Sequence, residues 1–385
     1  MNPSSSLWVK KFGVAFESKS NPIIEFKDLY QQLTEVGFVY GLHFKTVESY
    51  NTSHELLADE IAKLNLLYAL CEVHAQYSKT RDYNLFLEDV LKFYQPLVKA
   101  SSFWKNLLSK NPSTTLEEVI DKRINNGNNR LTHLFSSNFY NAFVIYDPIC
   151  FYHFLRNKTD FDDSYGYLKE LTILYGKKTQ FQIPDSKHQL YGILLAHLGA
   201  DTVFENYDAD SIETDTYWYH RYILDLCSII LYAQNELEEP HQSYLQTISS
   251  ELHLDSDDYQ LCIKNAKRFS ENFESKLSSL KSSNTIQRFQ SKINNLAERL
   301  IKRNSKRIIR ELKNSKELLL LLSHSTHRDL SPEEQKKVQQ YALDIAKSIP
   351  SLAIFMLPGG ALLLPIFIRL IPKLLPSAFD ENRIE

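Results

Sequence analysis

The sequence predicts an all-α fold: a multi-helical bundle body, a long basic helix and a C-terminal apolar segment broken by prolines. Three observations support this class. Only 10 of 385 residues are glycine, and turn dipeptides are few, which favours helices over sheets. Apolar residues recur at three- and four-residue steps over long windows, the spacing of one helix face. The hydrophobic fraction of 43% suffices for a packed core of one large or two to three ordinary domains.

Charge divides the chain into regions of opposite sign. The formal net charge is only −3, yet eleven Lys and Arg residues face two Glu between Lys281 and Lys316. The residues before that stretch are correspondingly acidic. We predict four domains: an acidic helical body (1–204), a helical unit (205–270), a long basic helix (271–330) and a C-terminal segment (331–385).

The body is predicted to consist of short helices joined by Pro, Gly and Asn signals. One stretch, from Gly37 to Phe44, is expected to be extended. The periodicity predicts helices over 24–36, over two segments of 55–94, and over 116–124, 165–175 and 187–204, with a buried apolar stretch over 131–155.

The second domain is predicted to contain three helices, over 222–233, from Pro240 and from Asp255. This arrangement weakly resembles the TerB-like helical domains, which place an acidic loop between helices. Glu236, Glu238 and Glu239 supply oxygens here, but the spacing of an EF-hand is missing. We therefore expect a charged helix start and no metal site.

The basic helix is the strongest charge signal. Ile286, Phe289, Ile293, Leu296 and Leu300 form an apolar seam within a helix, or a pair of helices, predicted over 269–322. Three partners are considered for its cations: anionic lipid, the phosphates of RNA, and the acidic body of the same chain. Lipid is favoured because an apolar segment follows closely. The cations are Arg299, Lys302, Arg303, Lys306, Arg307, Arg310 and Lys313.

The C-terminal segment begins with a strong helix start. Ser331 is a predicted N-cap, Pro332 occupies the first helical position, and Glu334 completes a capping box. The 21 residues from Ser348 to Ile368 then carry no charge, a length that spans a bilayer core. Interior prolines exclude a simple straight helix. A kinked span, a re-entrant pair of half-helices and a broken helix buried in a soluble core all remain open.

The same segment carries a spaced pattern of one aspartate, several prolines and a phenylalanine: Asp344, Pro350, Pro358, Pro365, Pro372, Pro376 and Phe379. This pattern resembles the membrane segment of the LETM-like family, the leucine-zipper/EF-hand-containing transmembrane proteins. The resemblance implies a membrane-associated helical protein linked to K⁺/H⁺ or Ca²⁺/H⁺ homeostasis and to the ribosome. The ribosome-binding and EF-hand domain is expected downstream of this segment, so neither activity is assigned to residues here. The overall layout is similar to bacterial LETM-related biofilm-associated proteins.

Asp344 has two interpretations. It is the candidate for an ion or proton pathway, since charges near membrane depth are usually functional. The alternative is a surface carboxylate paired with Lys336, Lys337 or Lys347.

No known catalytic or cofactor motif occurs: there is no phosphate loop, nucleophile elbow, zinc-protease helix or dinucleotide fingerprint. His324 and His327 lack a third ligand, so no metal is expected. Asp147, Asp162 and Asp163 suit turns and helix starts. The cysteines have no metal or redox spacing and are predicted to be buried thiols; they are Cys71, Cys150, Cys227 and Cys262.

The sequence thus predicts a non-enzymatic, membrane-associated protein on the cytoplasmic side of the inner membrane, with anionic lipid as partner and no cofactor. The N-terminus has no secretory signal pattern. The alternative is a cytoplasmic helical scaffold that binds a protein or the ribosome.

Overall fold

The chain forms two compact units. In the computed structural model the first comprises Met1–Gly127 and Ser137–Ser282, and the second Asn128–Ser136 and Ser283–Glu385. The predicted boundary between residues 204 and 205 therefore lies inside the first unit. The structure describes residues 2–3, 7–49, 56–96, 111–125, 144–158, 161–180, 182, 216–232, 237–273, 301, 304–312, 314–328 and 330–349.

The described part of the first unit is helical and contains no strand, which confirms the predicted fold class. Predicted helices are found with ends shifted by a few residues, while the one over 187–204 lies outside the described residues. The helices are α1 (Trp8–Glu17), α2 (Phe26–Glu35), α3 (Ala58–Ser78), α4 (Tyr83–Phe93), α5 (Pro112–Asn125), α6 (Tyr146–Asn157), α7 (Phe161–Gln180), α8 (Tyr217–Tyr232), α9 (Glu239–Glu251) and α10 (Ser256–Asn272).

Two helices, α3 and α8, form the centre of this unit. Side chains from Ala62 to Ala75 on α3 and from Trp218 to Leu231 on α8 are almost all buried. A helix that is buried around its whole circumference must be packed against neighbours on every side. Accordingly α3 packs against α2, α4, α5 and α6, and α8 packs against α7, α9 and α10.

The segment after α2 is a series of tight turns, and the prediction of an extended segment there is wrong. Phe38 N–H donates to Leu33 O at 2.9 Å, and Leu42 N–H donates to Gly37 O at 2.9 Å. Gly37 and Gly41 adopt φ of +86° and +68°, which glycine reaches without the clash that a Cβ brings. The two glycines thus fold the chain back on itself, while Phe38, Val39 and Tyr40 are buried.

Replacing Gly37 by Ala is expected to destabilise the first unit by about 1–3 kcal/mol or more. A Cβ at this position would lie 2.6 Å from the ring of Phe269 and 2.8 Å from the carbonyl oxygen of Leu42, at a φ that L-residues avoid. Urea denaturation measures the change. Ser18→Ala, an exposed change just after α1, is the control; equal stabilities for the two variants would contradict the turn geometry.

A buried ion pair connects α5 and α6. The Arg123 guanidinium contacts both carboxylate oxygens of Asp147, with Nε donating to Oδ2 at 2.8 Å, and Tyr94 OH donates to the same Oδ2 at 2.6 Å. Asp147 has no exposed surface. Asp147 lies in the first turn of α6, inside the apolar stretch that was predicted to be buried, but no sequence pattern indicates its pairing with Arg123.

A second buried network joins α2, α8 and α10. Arg221 Nε donates to Asp225 at 3.1 Å, and Arg221 Nη1 donates to Asp258 at 2.8 Å. Tyr30 and Tyr217 donate their hydroxyls to Asp225 and Asp258, at 3.0 and 2.6 Å. Each carboxylate therefore has a cation and a hydroxyl donor, which offsets much of the cost of burying it.

All four cysteines are buried and free, as predicted: Cys71, Cys150, Cys227 and Cys262. Burial raises the pKa of every one of these thiols, so they stay protonated and unreactive near neutral pH.

The second unit contains α11 (residues 304–312), α12 (Lys316–His327) and α13 (Pro332–Ser348). One continuous helix from Phe269 to Leu322 is not formed. Helix α10 ends at Asn272, and the chain leaves helical geometry again at Ser315, with φ −115° and ψ 84°. Asn314 and Ser315 are residues whose side chains compete for backbone hydrogen bonds, which favours a helix end.

Candidate functional site

Helix α11 presents a cationic face. Lys306, Arg307 and Arg310 are exposed at spacings of three and four residues, while Ile308 and Leu312 are buried. No ion pair links these three cations to any described residue. We call Lys306, Arg307 and Arg310 the basic face. Arg299, Lys302, Arg303 and Lys313 lie outside the described residues.

Helices α12 and α13 form a hairpin whose connection is fixed by a capping box. Ser331 Oγ accepts from Glu334 N–H at 3.2 Å, and Ser331 N–H donates to the Glu334 carboxylate at 2.8 Å. Pro332 occupies the first turn of α13. The helix start predicted from these three residues is therefore confirmed.

Charged contacts hold the two helices together at their exposed surface. Arg328, just after α12, donates to both oxygens of Glu334 at 2.8 and 2.6 Å. Near the other end of the hairpin, Lys337 and Tyr341 both donate to Glu317, at 2.8 and 2.6 Å. Beneath these contacts lie buried apolar side chains: Leu318, Leu321, Val338, Ala342, Ile345 and Ala346.

The start of α13 is expected to be sensitive to acid only at low pH. Hydrogen bonds from Arg328 and from the Ser331 backbone lower the pKa of Glu334 to about 2, from an ordinary value of 4.5. A lowered carboxyl pKa stabilises the folded state fully above pH 4.5, and that contribution is lost as pH falls from there towards 2. Amide exchange at Ser331 and Glu334, followed against pH, is the measurement.

The matching variant is Ser331→Ala, which is expected to destabilise the first turn of α13 by about 1 kcal/mol. Gln340→Ala, an exposed change in the middle of α13, is the control. If Glu334 titrated near 4.5, or if amide exchange in Ser331→Ala equalled that of the control, the capping contacts would not stabilise the helix.

Asp344 is an exposed carboxylate paired on its own helix. Its side chain lies 2.8 Å from Lys347, three residues on, and both side chains are more than half exposed. This geometry matches the surface alternative considered for this residue. An exposed pair of this kind contributes at most about 1 kcal/mol.

The remaining residues of the apolar pattern lie outside the described residues: Pro350, Pro358, Pro365, Pro372, Pro376 and Phe379. Of the run from Ser348 to Ile368, the structure describes Ser348 and Ile349. Within the described part of the chain, no helix is both long enough and apolar enough to cross a membrane.

No metal centre is found among the described residues, where no group of three or more His, Cys, Asp or Glu could hold an ion. His324 is exposed, with Arg328 Nη2 at 3.5 Å from its Nδ1. Glu239 lies in the first turn of α9, the charged helix start that was expected. Glu236 lies outside the described residues.

Comparison with known proteins identifies the C-terminal end. Residues 330–385 match the family model described as LETM1-like, RBD. No curated protein and no solved structure matches the chain. The match does not bear on the TerB-like resemblance of the second predicted domain or on the biofilm-associated branch, and both stay predictions. Residues 330–385 of this chain are therefore similar to the LETM1-like family.

Proposed function

We propose that the C-terminal unit attaches this protein to a membrane surface rich in anionic lipid, and that the protein is not an enzyme. The uncharged run from Ser348 to Ile368 carries the proposal. It begins at the end of α13, lies inside the LETM1-like match, and has the length that a bilayer core requires.

The basic face supplies the second contribution to membrane binding. Each Lys or Arg near an anionic surface contributes about 1 kcal/mol, so three exposed cations add roughly 3 kcal/mol. Stable attachment generally takes two signals, such as an apolar insertion and a polybasic patch. A basic flank also favours the cytoplasmic side, which makes the inner surface of the bacterial inner membrane our proposed location.

Helix α13 connects these two elements. Its exposed surface carries Lys336, Lys337 and Lys347, while Val338, Ala342 and Ile345 pack inside the unit. The family resemblance implies a role in cation homeostasis. Such a role would require that the protein first be attached to a membrane. Because Asp344 is exposed and paired with Lys347, we do not assign it the role of ion ligand.

Vesicle flotation tests the attachment. The full chain is expected to float with vesicles that contain anionic lipid. A chain ending at Ile349, which keeps α12 and α13, is expected to bind weakly and only at low salt, where screening is small. K⁺ and H⁺ flux can be measured in the same vesicles. Equal flotation of the two chains would contradict the role of the apolar run.

Ribosome binding is the second candidate function. It is favoured by the same three exposed cations and by the match of residues 330–385 to the model described as LETM1-like, RBD. The resemblance led us to expect the ribosome-binding domain downstream of this segment, whereas the match covers the segment itself. Contacts with RNA phosphates weaken steeply as salt rises. Co-sedimentation with ribosomes in the absence of membranes, lost on neutralising Lys306, Arg307 and Arg310, would support this function in place of lipid attachment.

A further inference from the structure

A polar cavity lies within the first unit, far along the chain from the LETM1-like segment. Its volume is about 650 Å³, within the range of roughly 300–1,000 Å³ typical of small-molecule sites. Helices α2, α3 and α10 form its walls, together with the segments that precede α2, α3 and α4. Four cations and three carboxylates line it: Lys19, Lys45, Arg81, Arg268, Glu35, Glu48 and Glu72.

Glu72, on α3, is the most buried of these charges, with 3% of its surface exposed. Its nearest cations lie at ion-pair distance but beyond good hydrogen bonds: Arg81 Nη2 at 3.5 Å and Lys19 Nζ at 3.8 Å. Glu72 Oε2 has no hydrogen-bond partner among the described residues. Burial raises the pKa of Glu72, against the opposing effect of Arg81 and Lys19. The carboxylate is thus incompletely paired.

The other cations at the cavity differ in whether their side chains already have a hydrogen-bond or ion-pair partner. Lys19 Nζ lies 2.5 Å from Glu48 and 4.8 Å from the ring of Tyr68, so it is already held. Arg81 donates from both terminal nitrogens to backbone carbonyls, but its buried Nε has no hydrogen-bond partner among the described residues. Lys45 is exposed at the cavity and forms no ion pair with any described residue.

These features define the ligand chemistry. Among the described residues, Glu72 Oε2 lacks a hydrogen-bond donor and Arg81 Nε lacks an acceptor, while the exposed ammonium of Lys45 forms no ion pair. Since four cations nearly balance three carboxylates, the lining suits neither an apolar ligand nor a highly charged anion such as a polyphosphate. A molecule that carries one positive and one negative group satisfies both sets.

We propose that this cavity binds a zwitterionic small molecule of the amino-acid or dipeptide class, with its ammonium group at Glu72 and its carboxylate at Arg81 and Lys45. The charge-assisted hydrogen bonds at the two ends of the ligand provide the specificity. The site is independent of the membrane attachment proposed above.

Calorimetric titration of the full chain with the twenty amino acids and a set of dipeptides tests the proposal. At least one zwitterion is expected to bind saturably below about 10 mM. Its N-acetyl derivative lacks the ammonium and its amide lacks the carboxylate, so each is expected to bind at least about tenfold more weakly. Glu72→Gln and Lys45→Ala are each expected to weaken binding of the zwitterion by at least about tenfold as well. Circular dichroism checks that both variants fold.

Lys92→Ala, which removes an exposed lysine of α4, is the matched control and should leave the affinity unchanged. The proposal is overturned if no amino acid or dipeptide binds in this range. It is also overturned if nucleotides or sugars bind in their place, or if the zwitterion binds Glu72→Gln and Lys45→Ala as tightly as the unaltered chain.

Discussion

Asp147→Asn is expected to lower the free energy of unfolding by about 3–5 kcal/mol, the usual cost of removing one partner of a buried ion pair. The change leaves the Arg123 guanidinium, whose side chain is 13% exposed, without its counter-charge. It also alters the acceptor of the Tyr94 hydroxyl. Urea denaturation followed by circular dichroism measures the difference.

Two further variants test whether the loss of stability comes from leaving one buried charge without its partner. Asp344→Asn breaks an exposed pair and is expected to cost less than about 1 kcal/mol. The double variant Arg123→Met with Asp147→Leu replaces both charges by apolar groups and is expected to recover much of the loss, since such replacements are often neutral. A loss below about 1 kcal/mol for Asp147→Asn would contradict the buried pair.

Neutralising the basic face is expected to weaken binding to anionic vesicles strongly at low salt. The triple change of Lys306, Arg307 and Arg310 to Ala removes roughly 3 kcal/mol of attraction to an anionic surface, which corresponds to about a hundredfold weaker binding. Vesicle titration at low and physiological salt measures it. The effect should shrink as salt rises, because these side chains are exposed and screened.

A matched triple change on the first unit is the control. Lys10, Lys11 and Lys267 are also exposed but lie on α1 and α10. Their replacement by Ala changes the net charge by the same amount, so any difference between the triple variants reports position. If both lost affinity equally, binding would depend on net charge alone. If neither triple variant lost affinity for the vesicles, the basic face would have no part in membrane binding.

Local features of the fold were predictable from the sequence. The capping box at Ser331 and Glu334 needs only residues three apart, and the structure contains both of its hydrogen bonds. The three helices that follow Tyr217 were indicated by periodicity and by start signals at Pro240 and Asp255. Start signals of this kind lie within one helical turn, so they can be recognised without knowledge of the tertiary packing.

Long-range pairings were not predictable. Arg123 and Asp147 are 24 residues apart, and Tyr30 and Asp225 are 195 apart, with no pattern to join them. The stretch from Gly37 to Phe44 is predicted to be extended because a short apolar run fits more than one local structure, and only the fold shows that its backbone turns. The cavity around Glu72 combines side chains from distant segments, and only folding brings them together.

The direct test of membrane attachment is extraction of isolated membranes with alkaline carbonate, comparing the full chain with a chain ending at Ile349. The account predicts that the full chain remains in the membrane pellet and the shortened chain is released. Release of both chains would contradict an apolar anchor between Ser348 and Ile368, and would leave the basic face to be tested against ribosomes.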